Sequence, residues 1–403
     1  MIFSETKLWI CLIWVQLKLN KNLNRMRLKY LFGFVLILII SSCTKKQKTI
    51  KPGEIWPDNN GVHINAHGGG MLFHEGRYYW FGEHKIEGKA GNKAMVGVHC
   101  YSSKNLVDWK DEGIALEVIK DDPKHDITEG CVLERPKVIY NERTNKFVMW
   151  FHLELKDRGY DAARSGVAIA DKVTGPFEFV KSLRPNAGYW PQNVKDIHKQ
   201  AVGAEIKEHY CGGLGCLPSH PDTVNLIGRD FKNGQMARDQ NLFVDDDGKA
   251  YHIYSSEENS TLHISQLSDD YLSESGDYAR FFPGRYMEAP AIFKHKEKYF
   301  LIASDCTGWD PNAARLAWAP SIFGPWEELG NPCVGSEADL TFRSQSTFVI
   351  PVQGKKDAFV YMGDRWTPDN AIDGRYIWLP VQFNKDGIPY LEWMDEWSLE
   401  FFD

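Results

Sequence analysis

No two of the eight cysteines stand in a CxxC spacing, so the chain offers neither a zinc-ribbon pair nor a thioredoxin-like redox pair. Helical periodicity is almost absent beyond residue 52, which excludes helix bundles and alternating α/β folds. Beyond that residue there is also no basic run, which argues against nucleic acid as a partner. The one long apolar run, residues 31–40 (LFGFVLILII), is too short for a comfortable membrane span. No low-complexity linker interrupts the rest, so a single domain is expected.

That apolar run is informative all the same. It follows Arg25, Arg27 and Lys29 and ends in Ser41, Ser42 and Cys43. A basic flank, a short apolar stretch and small residues describe a secretion signal. The residues ISSC at 40–43 resemble a bacterial lipobox, in which the cysteine is lipidated. Residues 1–42 are therefore expected to be a signal peptide, with Met26 as its natural start and residues 1–25 as an upstream extension. Cys43 becomes the lipid anchor, residues 43–52 a basic tether, and residues 53–403 the working domain. The expected location is an exported lipoprotein, periplasmic or anchored at the outer membrane. Without residues 1–42 the chain has 41 basic and 53 acidic residues, a net charge of −12. Export permits disulfides, and Cys211 with Cys216 in the CGGLGC loop is the best candidate pair.

What the chain has in abundance is aromatic residues: 14 Trp, 17 Tyr and 22 Phe. Many lie in a repeat. A turn precedes an aromatic-rich strand at residues 77–83 (RYYWFGE), 146–152 (KFVMWFH), 249–256 (KAYHIYSS), 298–304 (KYFLIAS) and 358–364 (AFVYMGD). A second strand follows each of the first four, and YIWLPVQF at 376–383 offers the fifth. Five strand–turn–strand units predict an all-β, five-bladed β-propeller. The gap holding residues 186–237 reads as a long inserted loop, and Asp245, Asp246, Asp247 and Gly248 as a hairpin turn rather than a calcium loop.

In a propeller the starts of the innermost strands converge on one axis. Polar residues stand at matching places upstream of the repeat: AHGGG at 66–70, ERP at 134–136, RDQ at 238–240, EAP at 288–290 and SQS at 344–346. Four blades thus offer a carboxylate or amide at equivalent positions, and paired carboxylates across a cleft are what glycoside hydrolysis needs. Burial and a neighbouring carboxylate can keep one acid protonated at neutral pH. Glu288 is the candidate acid and Asp239 the neighbour that tunes it. Trp80, Tyr160, Trp309 and Trp366 are candidate sugar platforms. No cofactor or metal site is expected.

Residues 52–403 resemble glycoside hydrolase family 43, on the RD at 238–239 before LFVDDDG and the EAP at 288–290. The resemblance implies an inverting enzyme with Glu288 as general acid and Asp239 as its pKa modulator. It also implies an Asp base in blade one. Here His67 is followed by Gly68 and Gly69, and that carboxylate is missing. AHGGG, YYWFGE, ERPKV and RSQSTFV instead resemble the family's exo-β-1,3-galactanase branch. There the base is a blade-five Gln reacting as its imidic tautomer, which corresponds to Gln345. Glu134 is the alternative base or a substrate contact, and Glu83, Tyr160 and His67 are expected to contact substrate. The implied activity is release of terminal galactose from β-1,3-galactan. α-L-Arabinofuranosidase or β-xylosidase activity is an alternative, as is a non-catalytic glycan-binding lipoprotein.

Overall fold

The computed structural model describes residues 48–89, 91–200 and 225–403. The signal segment, Cys43, and Cys211 with Cys216 lie outside the described residues. Among the described cysteines, Cys100, Cys131, Cys306 and Cys333 are all free thiols.

Residues 49–403 form one unit of five sheets, each four or five strands wide. Blade one runs from its inner strand His67–His74 outward through Arg77–His84, Gly97–Ser103 and Lys110–Glu117. Blades two, three and four step outward antiparallel in the same way from Cys131–Asn141, Gln240–Val244 and Glu288–His295, and in blade two the short strand Lys93–Ala94 pairs on the other side of Cys131–Asn141. Blade five begins with Gln345–Pro351 and gains an outer strand, Cys333–Val334, parallel to Pro389–Glu392. Each aromatic repeat is the second strand of its blade, as the five-bladed reading requires. Alternation explains the repeat: one set of rings faces each neighbouring blade.

The core is divided accordingly into five apolar clusters, each between adjacent blades. Trp150 and Val148 of blade two meet Leu242 and Leu267 of blade three, for example. Blades five and one are joined by Trp80, Trp378 and Tyr376, against which Trp56 packs edge-on to Trp378 at 5.0 Å. The backbone of Ile50 pairs with Trp397, so the N-terminal end of the unit closes the ring. On the axis, Asn241 Nδ2 donates to the carbonyls of Pro290 and Thr347 and ties three blades together.

One local feature places the site. Four inner strands carry a register irregularity near their starts: at His67/Gly70, Glu134/Lys137, Glu288/Ala291 and Ser346/Phe348. In the first three the residue after the polar one is left-handed: Gly68 at φ 58°, Arg135 at 51° and Ala289 at 52°. A bulge of this kind re-aims the preceding side chain. Pro136 and Pro290 follow, where a missing N–H is tolerated because the ladder is already broken. Asp245 closes a hairpin by accepting from Gly248 N, and its carboxylate pairs with Lys294 at 2.9 Å.

Candidate active site

The bulged strand starts surround a cavity of about 410 Å³. It brings together Glu288, Asp239, Gln345, Glu134, Glu83 and Tyr160. These residues come from all five blades, with Tyr160 on a blade-two loop.

Glu288 is buried, and one of its oxygens, Oε1, accepts from Asn259 Nδ2 at 2.8 Å. Burial and then the Asp239 charge push its pKa up to about 7. Asp239 is held in place by two donors: Arg135 Nε at 2.8 Å and the backbone N–H of Ala289 at 3.1 Å. Arg135 holds Asp239 in an ion pair, and the Asp239 charge favours a proton on Glu288. This is the division of labour that an acid-catalysed cleavage requires.

Arg135 is the hub. Besides Asp239, its guanidinium donates to Gln345 Oε1 at 2.6 Å and to the Ser346 carbonyl at 3.1 Å. Gln345 Oε1 also accepts from Trp366 Nε1 at 3.0 Å, while its Nε2 donates to Ser304 Oγ at 2.9 Å. The amide plane is thereby fixed from three sides.

Glu134 accepts from His152 Nδ1 at 2.9 Å and from the Tyr160 hydroxyl at 3.0 Å. Burial alone would raise its pKa, but His152, Lys85 and Arg135 outweigh burial and hold it below the ordinary value. His152 Nε2 donates to Glu154 at 3.0 Å. Burial opposes the charge on His152, yet the two carboxylates prevail and raise its pKa to about 9. Glu134, His152 and Asp239 lie within reach of one ion. An imidazolium donating from both nitrogens has no lone pair to give, so the trio suits an ion-pair chain better than a metal. A pH test follows. The folded pKa of His152 is raised, so its stabilisation is complete below about pH 6.5 and is lost as pH rises through about 9. Urea midpoints should fall between pH 7 and 10 in the wild type, and less in a His152→Gln variant.

Glu83 sits on the second strand of blade one, paired across the ladder with His67. Its carboxylate accepts from Arg135 N at 2.9 Å and pairs with Lys85 at 2.5 Å. Burial leads in raising its pKa, against the pull of Lys85. A side-chain carbon built on Gly68 would collide with this carboxylate. The space next to Gly68, where the family resemblance implies an aspartate, is thus occupied by Glu83. Gly68→Ala should cost about 1–3 kcal/mol of stability through overpacking, on top of the strain of its left-handed backbone. Denaturant unfolding measures this.

His67 is not brought to the cavity. It is fully buried, its ring stacks on Tyr376 at 5.5 Å, and neither ring nitrogen has a partner among the described residues. The bulge turns its side chain toward blade five instead. Burial lowers its pKa well below the ordinary value. Trp80, a candidate platform, is also core: it is enclosed by Trp109, Trp378 and Tyr376. Tyr160, Trp309 and Trp366 do line the cavity, with Tyr160 and Trp309 well exposed. Arg135, His152, Asn259 and Cys306 were not foreseen as site residues. Arg135 shares the bulge position of Gly68 and Ala289, which is a signal the sequence contained. Asn259 and Cys306 reach the site from loops and have no such register.

A buried acid held near neutrality over a polar cavity defines a propeller hydrolase working by acid catalysis. The pattern of the glycosyl hydrolases family 43 matches residues 221–389. A solved β-1,3-galactosidase of that family, bound to galactodeoxynojirimycin, is 50% identical with a TM-score of 0.78; the match covers 87% of this chain and all of that one. An exo-β-1,3-galactanase from Phanerochaete chrysosporium, solved with β-1,3-galactotriose, is 32% identical with a TM-score of 0.70, over 88% of this chain and 68% of that one. The β-D-galactofuranosidase xynD of Aspergillus niger is 25% identical over 171 residues, which is 40% of this chain; the chain spans about half, 49%, of that relative's length. The chain belongs to glycoside hydrolase family 43.

Proposed function

We propose that this enzyme is an inverting exo-glycosidase that releases terminal galactose from β-1,3-galactan, the backbone of arabinogalactan. The observation that carries this reading is the exchange at Gly68. The usual blade-one aspartate is absent and its space is filled by Glu83, while Gln345 is fixed facing the same cavity. The likeness to a β-1,3-galactosidase, over 87% of this chain and all of that one, supports it. Glu288 protonates the glycosidic oxygen and Asp239 holds it protonated until then. Glu83 and Tyr160 line the sugar site.

Gln345 activates the attacking water. As an amide its oxygen already accepts two hydrogen bonds, so only the imidic tautomer, with a free lone pair on nitrogen, can take a proton. In that tautomer the proton that left Nε2 sits on Oε1. When the nitrogen takes a proton from the attacking water, the Oε1 proton is given up and the amide re-forms. One proton then restores Glu288, which has given its own to the leaving group. Gln345→Ala is expected to abolish turnover while leaving inhibitor binding largely intact. Full activity in that variant moves the base to Glu134, whose lowered pKa keeps it ionised at neutral pH.

The deciding experiment incubates the protein with β-1,3-galactan and follows released sugar. Galactose is the expected product, of inverted anomeric configuration. Arabinose or xylose from aryl glycosides, with no galactose, would replace this reading by an arabinofuranosidase or xylosidase. Binding without product would make the protein a glycan-binding lipoprotein; the retained tuning of Glu288 argues against that. The N-terminal sequence further supports an exported lipoprotein anchored through Cys43. Metabolic labelling with a radioactive fatty acid, lost in Cys43→Ala, tests the anchor.

A further inference from the structure

The turn between the second and third strands of blade three has an unusual backbone. Glu257, Glu258 and Asn259 are consecutive left-handed residues, at φ 51°, 57° and 67°. None is glycine; asparagine tolerates this region, but Glu257 and Glu258 are held there against their preference. The anchors are visible. Buried Glu257 is gripped by Arg280, through Nε at 2.9 Å and Nη2 at 2.7 Å, and by His263 at 2.8 Å. Glu258 is bound by Arg229 at 2.9 Å and Arg238 at 3.1 Å. Two anchored carboxylates thus over-determine the turn, and the third residue delivers its amide to Glu288 Oε1 at 2.8 Å.

We propose that Asn259 is a positioning residue that decides which oxygen of Glu288 carries the catalytic proton. An oxygen accepting an N–H bond is the carbonyl oxygen of a neutral carboxylic acid. With Asn259 on Oε1, the proton is placed on Oε2. Asn259 also favours the ionised product of proton transfer, because a donor is bound more strongly by a carboxylate than by a carboxylic acid. The strain in the turn fixes this donor before substrate arrives. The inference rests on Glu288 being the acid of a β-galactosidase.

The role is testable with aryl β-D-galactopyranosides whose leaving groups range from dinitrophenyl to phenyl. None places a second sugar in the site, so only the need for protonation changes along the series. Asn259→Gly suits the left-handed backbone and removes the donor; Asn259→Asp keeps the shape without the donor. For Asn259→Gly, kcat on the phenyl galactoside should fall about 10–100-fold, the effect of losing one hydrogen bond to a charged group. The dinitrophenyl galactoside, which needs little protonation, should change by no more than about twofold. The basic limb of the pH profile should move upward, and further for Asn259→Asp. The other groups acting on Glu288, namely Asp239, Arg135, Glu134 and the Cys306 thiol, are unchanged in both variants. An equal fall across the series, or no fall on the phenyl substrate, overturns the proposal while leaving the galactosidase reading intact. Absence of galactose release by the wild type overturns both.

Discussion

Glu288→Gln is expected to lower turnover of β-1,3-galactan by about 10²–10⁴-fold, the usual contribution of a positioned acid. Binding of a galactose-like inhibitor should survive, because glutamine keeps the shape and the acceptor for Asn259. The pH dependence gives a second readout. With a pKa of about 7, wild-type Glu288 loses its proton across neutrality, so the rate should decline above about pH 7. Stability should fall over the same range of pH. The folded pKa lies above the ordinary value of 4.5, so the group's favourable contribution is complete below about pH 4.5 and is lost as pH rises through about 7. Above pH 7 an ionised Glu288 lies buried beside Asp239, and glutamine removes that repulsion. Urea titrations should show the variant more stable than the wild type at pH 8 and similar to it at pH 4. Loss of both activity and stability at pH 8 would count against Glu288 as the tuned acid. A site that sacrifices stability for function behaves as predicted here.

Arg135→Leu is the second large effect. The guanidinium is buried and serves Asp239, Gln345 and the Ser346 carbonyl at once. Removing it leaves Asp239 without its cation, and breaking such a buried pair costs about 3–5 kcal/mol. Turnover should fall about 10²-fold or more, because Gln345 and Trp366 lose the group that fixes them and small misplacements are that costly. The direction on Glu288 is also set. Arg135 lowers its pKa, so in the variant the basic limb should shift to higher pH. Denaturant unfolding and a pH–rate profile on the same sample check all three effects. A variant that is destabilised yet keeps its pH profile would reduce Arg135 to a purely structural residue.

The two variants show how differently parts of the site were legible. Glu288, Asp239, Gln345 and Glu134 could be read because each stands at the start of an inner strand, and the repeat fixes that register in one dimension. Glu83 came only through the family likeness. It stands on a second strand and reaches the site because Gly68 leaves room for it. Arg135 was in plain view in the ERP segment, but its role depends on a left-handed backbone that no local pattern announced. His67 shows the converse error: the register was right, and the bulge turned the side chain into the core.

By itself the sequence determined the all-β class, the five blades and the place of the candidate acid. Those follow from alternation, repetition and residue type, which are local properties of the chain. The aspartate missing at Gly68 stood out only against the family resemblance. Only the tertiary structure decided the state of each group. Whether Glu288 holds a proton, Glu134 stays ionised or His152 is an imidazolium depends on burial and on charges from other blades, far apart in the chain. Those distances exist only once the ring has closed.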